Sequence, residues 1–379
     1  SPVWDEVLRP RLNALRNGGS LDLRMLMISH IDDDHVNGIV ELLQTLREAD
    51  LDGREMPVRI RTLWHNAFDD LVGEGAPSLE AAAFAAMLPD DPDAGLGVAS
   101  PAELVAGVGS ADPQMSRSAR MVAASVPQGR TCRSLANAMG IPINAGAPED
   151  GALVSARRGQ GPVDLGHGLA FHILGPSERR IQRVRKRWLE IVGRQEQHAA
   201  AGAASDSSTA EAAEIFDSSV FNQSSLIVLA SLGERRVLLP GDARGDDILK
   251  GAKDAGLLND GRLEVDVMKL PQHGSDRHVE TDFFRRVRAR HYLVSADGRH
   301  GNPEISTLQM LVEARRGDRE PYTLHFTHRF SDFRPGYPVS ELRCILDCYR
   351  RHGHPVEVRE PNAADAPTIL HLADLPVGG

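Results

Sequence analysis

The spacing of apolar positions changes period along the chain, and each change marks an element. Residues 6–17 (EVLRPRLNALRN) carry the pattern of an amphipathic helix that stops at Gly18-Gly19. Leu21–Ile28 is an apolar run suited to a buried strand, and residues 36–49 return to helical spacing. Residues 58–64 alternate as a second strand. From about 67 to 150, Ala-, Gly- and Pro-rich segments with helical stretches predict a mostly helical insertion or cap. Strand character returns over 153–175; 178–197 reads as a charged helix, and 198–214 is low in complexity and predicts a mobile loop.

Beyond that loop the alternation is regular. Strands are expected at 224–232 and 236–239 around a Gly233-Glu234 turn, then a helix near 244–256 and a strand at 265–270. A helix at 281–289, a strand at 291–295, a helix at 304–315, a strand at 322–327, a helix near 340–352 and a short β segment at 368–372 complete the chain. Strands alternating with helices predict a layered α/β fold.

Composition narrows the function classes. The 379 residues are 41% hydrophobic and 25% charged, as in ordinary globular proteins, with only 4% aromatic side chains and a net charge of −10. An acidic, aromatic-poor chain lacks the footprint of a non-specific nucleic-acid binder, although a local basic rim or bound metals can offset the average. Cys132, Cys344 and Cys348 form neither a disulfide framework nor a CxxC knuckle, which fits a reducing, cytoplasmic setting. Cys344 and Cys348 share a helix face and read as small core residues. No apolar run is long enough to span a bilayer, and no signal peptide opens the chain.

The chemistry concentrates where the first strand meets the second helix, in Ser29-His30-Ile31-Asp32-Asp33-Asp34-His35. In an extended-to-turn segment, His30, Asp32 and Asp34 point to one side, and the turn brings His35 round to them. Carboxylates packed this closely repel one another unless a cation neutralises them. An acidic helix cap needs one Asp, so capping alone does not account for the run.

The run, followed by Val36-Asn37-Gly38, resembles the signature loop of the metallo-β-lactamase superfamily. More narrowly it resembles the HxDxDH branch that includes the hydrolase domain of competence-type DNA-internalisation proteins and certain choline-phosphate esterases. Two later segments match in order: Leu238-Leu239-Pro240-Gly241-Asp242, similar to a strand-end Gly-Asp, and Val265–Ser275 (VDVMKLPQHGS), similar to the branch's DVLKxPHHGS. The resemblance implies a four-layer αββα sandwich formed by 1–66 and 151–379, interrupted by the insertion at 67–150. The strands that precede the signature in that superfamily are missing, which leads to the expectation of further sequence before Ser1. Gln272 stands where the branch has the first His of a pair, so only His273 carries over.

The resemblance implies a centre of two divalent ions, Zn or else Mn or Fe, held by His30, Asp32, Asp34, His35, Asp242 and His273, with Asp242 bridging. Hydroxide generated between the metals would be the nucleophile, so no Ser or Cys nucleophile is needed. Asp34 and His300 are the expected catalytic side chains, and Asn222, Ser225, Arg277 and Asn302 the expected substrate contacts. Asp276 and His278 flank Arg277 at the same mouth, and His328, rather than His325 beside it, is the alternative late ligand. The basic run 179–187 reads as a solvated helix face.

The resemblance implies hydrolysis of a phosphodiester, in a nucleic acid or a nucleotide. Hydrolysis of a carboxylic ester, lactone or amide, or a non-catalytic module with structural metals, are the competing expectations.

Overall fold

The structure is a computed structural model that describes residues 3–16, 18–72, 117–147, 153–186, 189–190, 222, 224–363 and 366–372. The chain divides into two compact units, the first comprising Leu12–Val154 and Glu178–Ser224, the second Ser155–Ser177 and Ser225–Gly379 with Pro2–Arg11. At the start, Val3–Leu8 winds as a π-helix and Arg9–Arg16 as helix α1. α1 buries no side chain fully; of the apolar positions expected on the face at 6–17, Val7 and Leu12 are half-buried while Leu8 and Leu15 are exposed.

In the first unit, β1 (Leu21–Leu23) pairs in parallel with β3 (Val58–Ile60), and β2 (Leu26–Met27) with β4 (Leu63–Trp64). Each expected strand is therefore broken in the middle, and both break at the same level. The ladder bends without being lost, because Arg61 donates to the Leu23 carbonyl at 2.9 Å and Leu26 to that of Thr62 at 3.0 Å. Between the strands runs α2 (Asp33–Leu51), whose Val36, Val40, Leu43 and Leu46 are buried at helical spacing. This face packs along α4 (Arg117–Ala138), which follows the short α3 (Phe68–Val72). Most of the expected insertion, 73–116, and all of the loop 198–214 lie outside the described residues.

The second unit is built on one eight-stranded sheet in the order β12-β11-β10-β9-β8-β7-β6-β5. β5 (Val163–Asp164), β6 (Leu169–Gly175), β7 (Ile227–Leu232) and β8 (Arg235–Leu239) form an antiparallel meander. From β8 onward the pairing is parallel through β9 (Leu263–Lys269), β10 (Val287–Val294), β11 (Tyr322–Phe326) and β12 (Val356–Arg359). Parallel neighbours need crossovers. Helices α5 (Gly245–Asp254), α6 (Thr281–Arg286), α7 (Ile305–Ala314) and α8 (Val339–Arg351) supply them. The protein is thus mixed α/β. Leu238, Met268, Tyr292, Leu324 and Phe326 are fully buried at the centre of the sheet, with Phe284, Leu308, Leu311 and Leu342 from the helices against them.

Three expectations are corrected here. The helix expected at 281–289 stops at Arg286, because Val287 and Ala289 enter β10 and are buried in the sheet. The last strand is Val356–Arg359, where the sheet edge offers β11 as a parallel partner; 368–372 is not a strand. Cys344 and Cys348 are exposed, since α8 buries Leu342 and Leu346 instead, whereas Cys132 is buried. Among the described residues no helix is long and apolar enough to cross a membrane.

Candidate metal centre

In the first unit the end of the β2 strand delivers Ile28 into the core and leaves the His/Asp run at the start of α2. The Asp32 carbonyl accepts the N–H groups of His35 at 2.9 Å and Val36 at 3.0 Å, which opens the helix. His30 and Asp32 are buried, at 2% and 8% exposure, while Asp34 stands exposed on the first turn. The rings of His30 and His35 lie 4.2 Å apart between centroids. Ser29 Oγ sits 3.2 Å from Nδ1 of His30 and 3.0 Å from Nδ1 of His35, so one hydroxyl orients both rings. Nε2 of His35 lies 3.6 Å from Oδ2 of Asp34.

The loop is held from behind by close packing. A Cβ on Gly129 of α4 would meet Cγ2 of Ile31 at 2.9 Å and the His65 ring at 3.4 Å, so the helix approaches the signature run only because residue 129 has no side chain. His65 follows β4, is fully buried, and receives its backbone fixation from Asn144 Oδ1 at 2.8 Å. Burial, and then the Arg133 charge, hold its pKa down at about 4, so the ring is neutral. In the sequence, the one signal for His65 is a histidine placed directly after an apolar strand.

In the second unit, the parallel strands gather their carboxyl ends along one edge of the sheet, where α/β folds place their chemistry. β8 ends in Pro240-Gly241-Asp242, β9 in the turn that carries His273, and β10 in the loop that carries His300 and Asn302. Asp242 is buried, at 4% exposure. Its backbone N–H is taken by Ser225 Oγ at 3.2 Å, and Ser225 is itself fully buried. The Ser225 hydroxyl, expected to touch substrate, thus holds the Asp242 loop. His273 Nε2 lies 3.5 Å from Oδ2 of Asp242, while its Nδ1 bonds the Ser295 carbonyl at 2.6 Å.

The turn that presents His273 is strained. Gln272 and His273 have φ of 44° and 55°, left-handed values that side chains rarely adopt. Glu304 braces the turn: its N–H bonds the Gly274 carbonyl at 2.9 Å, and its carboxylate accepts from Ser275 Oγ at 3.2 Å and from the Asp276 N–H at 2.5 Å. Asp276 accepts from Ser306 Oγ at 2.6 Å, which is the main cause of its lowered pKa. It braces the turn too, and only Arg277 next to it is exposed.

The remaining candidates separate. His300 is exposed in a tight turn with φ of 57°, two residues before the half-buried Asn302. Asn222 is buried, and its Oδ1 has no hydrogen-bond partner among the described residues. His325 is buried within β11 and hydrogen-bonds His291 of β10 at 3.0 Å, ring to ring; burial, then His291 and Arg359, hold its pKa at about 4. His328 lies just beyond β11, with Nδ1 3.1 Å from Thr327 Oγ1. The basic run is only partly a solvated face. Arg179, Arg183 and Lys186 are exposed, but Arg180 is buried and Arg185 donates to the Leu71 carbonyl at 2.9 Å.

No family profile matches the chain. Over 67 residues, 17% of its length, it is 42% identical to microtubule-associated protein 1A of Rattus norvegicus, of Mus musculus and of Homo sapiens. The matched stretch spans about 2% of those proteins. A likeness of that extent assigns neither a family nor an activity, and the class established by the fold remains that of a mixed α/β protein.

Proposed function

We propose that this protein is a metal-dependent hydrolase of the αββα metallo-β-lactamase kind, acting on a phosphodiester. One observation carries the reading: each unit presents a carboxylate oxygen and an imidazole nitrogen at the separation of two ligands on one ion. Asp34 Oδ2 and His35 Nε2 are 3.6 Å apart, and Asp242 Oδ2 and His273 Nε2 are 3.5 Å apart. Two ligands at roughly 2.0–2.2 Å from a tetrahedral ion stand a little over 3 Å from each other. In both units the Nδ1 of the histidine is engaged by a hydroxyl or a carbonyl, which is how metal-binding imidazoles are oriented.

The assignment of His30, Asp32, Asp34, His35, Asp242 and His273 to a single dinuclear centre rests on the order of the three motifs along the chain. The mixed His/Asp donor set fits Zn and also Mn or Fe. Divalent ions held there would lower the pKa of a shared water and polarise the phosphoryl oxygen. Around them, Ser29 and the Ser295 carbonyl fix which ring nitrogen is presented, and Ser225 holds the Asp242 backbone. Arg277, exposed on the turn after His273, supplies a cation suited to a phosphate oxygen. His300, exposed after β10, is the side chain assigned to proton donation. The net charge of −10 favours a short or nucleotide-sized substrate over a long polyanion. The free cysteines suit a reducing compartment.

The test is metal content per chain on protein purified without chelator, together with hydrolysis of bis-p-nitrophenyl phosphate against simple esters and lactones. About two equivalents of metal and preferential phosphodiester cleavage, both lost in Asp242→Ala and in His35→Ala, are expected. A chain that stays metal-free after reconstitution would end the reading, and ester or lactone cleavage alone would replace the substrate class.

A further inference from the structure

We infer that Lys269 is a positioning residue that divides the two oxygens of Asp242 between itself and the metal centre. The inference rests on the metal-binding reading just given. Lys269 is the last residue of β9, and its side chain is only 16% exposed. Its ammonium reaches three oxygens: the Gly241 carbonyl at 3.2 Å, the Leu270 carbonyl at 3.3 Å and Oδ1 of Asp242 at 3.4 Å. An ammonium carries three N–H donors, so this set satisfies it, as a nearly buried charge requires.

The three acceptors are not equivalent in what they hold. Gly241 belongs to the turn after β8, which carries Asp242, and Leu270 to the turn after β9, which carries His273. Gln272 also donates its N–H to the Gly241 carbonyl, at 3.3 Å. Lys269 therefore ties together the two turns of this unit that bear ligand side chains. By taking Oδ1 it turns the carboxylate so that Oδ2 faces Nε2 of His273. A lysine at this position makes a favourable orientation at an electrostatic cost, because its charge repels a divalent cation nearby. The two effects have opposite signs, and that makes the role measurable.

The experiment is the dissociation constant for Zn²⁺, by chelator competition, of the full chain and its Lys269→Met, Lys269→Gln and Lys269→Arg variants, with melting curves of each metal-free protein. Loss of orientation is expected to weaken Zn²⁺ binding at least about tenfold in Lys269→Met and Lys269→Gln, the size typical for a group that orients a ligand. Lys269→Arg keeps a donor on the carboxylate but cannot converge on all three oxygens, and should fall between them and the native protein. Unchanged or tighter binding in both neutral variants overturns the inference, even if the metal-free protein melts lower, since that pattern belongs to a purely structural lysine. A native chain that binds no Zn²⁺ overturns it as well, and is distinguished because it removes the metal reading itself.

Discussion

His273 bonds the carbonyl oxygen of Ser295 through Nδ1 at 2.6 Å, and it does so from a backbone with φ of 55°. The bond fixes the tautomer that leaves Nε2 to face Asp242. A left-handed residue with a side chain costs about 1–2 kcal/mol. That strain is tolerated because Glu304 clamps the turn from the other side.

The strain and the function of His273 are separable. On the metal-binding reading proposed above, His273→Ala should lower Zn²⁺ affinity at least about tenfold. His273→Gly should lose affinity to the same extent yet melt higher than His273→Ala, by about 1 kcal/mol, because glycine accepts the positive φ. Equal melting of the two variants would show that the turn is not under strain.

His65 makes a pH prediction. Its pKa is held at about 4 in the folded protein, against an ordinary 6.5, because burial disfavours the charged ring. The unfolded chain therefore binds the extra proton first as pH falls. The stabilisation from keeping His65 neutral is complete above 6.5 and is lost progressively toward 4. Between about pH 7.5 and pH 5 it accounts for about 2 kcal/mol. His65→Leu should flatten the fall in denaturation midpoint over that window. An identical pH slope in the variant would exclude His65 as the cause.

Most of the second unit could be read from the chain, because its strands are long apolar runs ending in turn residues and its helices are regular in period. The Gly241-Asp242 and His273 turns fell where expected, at strand ends. What could not be read depends on partners distant in sequence. Leu21–Ile28 looks like one strand, and only the pairing with 58–64 shows that both bend together. Residues 287–289 continue a helical pattern until the neighbouring β9 claims them. Cys344 and Cys348 share a helix face, but the sequence does not say which face of α8 the core takes. The orienting contacts of the candidate centre were likewise out of reach. The Ser295 carbonyl lies 22 residues from His273, and Gly129, nearly a hundred residues from Ile31, matters only through the atom it lacks.

Gly251 is a second position fixed by close approach. A Cβ there would lie 2.0 Å from the Leu174 carbonyl oxygen, so α5 rests directly on the β6 backbone. Alanine favours helices over glycine by about 1 kcal/mol, which works in the other direction. Backbone cannot yield as a side-chain tip can, and overpacking of about 1–3 kcal/mol or more should win. Gly251→Ala is expected to be destabilised by about 2 kcal/mol in urea unfolding. A stabilised variant would mean that α5 can shift away from β6 without loss.

Arg315 offers the sharpest test of what holds β10 and β11 to the segment that follows α7. It is 6% exposed, and Nη1 donates to the Ala289 carbonyl at 2.7 Å and to the Tyr292 hydroxyl at 2.8 Å. Its Nε pairs with Asp318, and its guanidinium lies 4.6 Å from the centre of the Tyr322 ring. Asp318 has a second partner in Arg288 at 2.7 Å. Removing one member of such a buried network leaves the others without partners, at a cost of about 3–5 kcal/mol. Arg315→Met should therefore be strongly destabilised, with the Asp318 charge still half-compensated by Arg288. Arg315→Lys keeps the charge but not the planar fork, so it should recover only part of the loss. Equilibrium unfolding of both variants decides between geometry and charge: full recovery by lysine would show that the network holds Asp318 by charge alone, and that the fork to Ala289 and Tyr292 adds nothing.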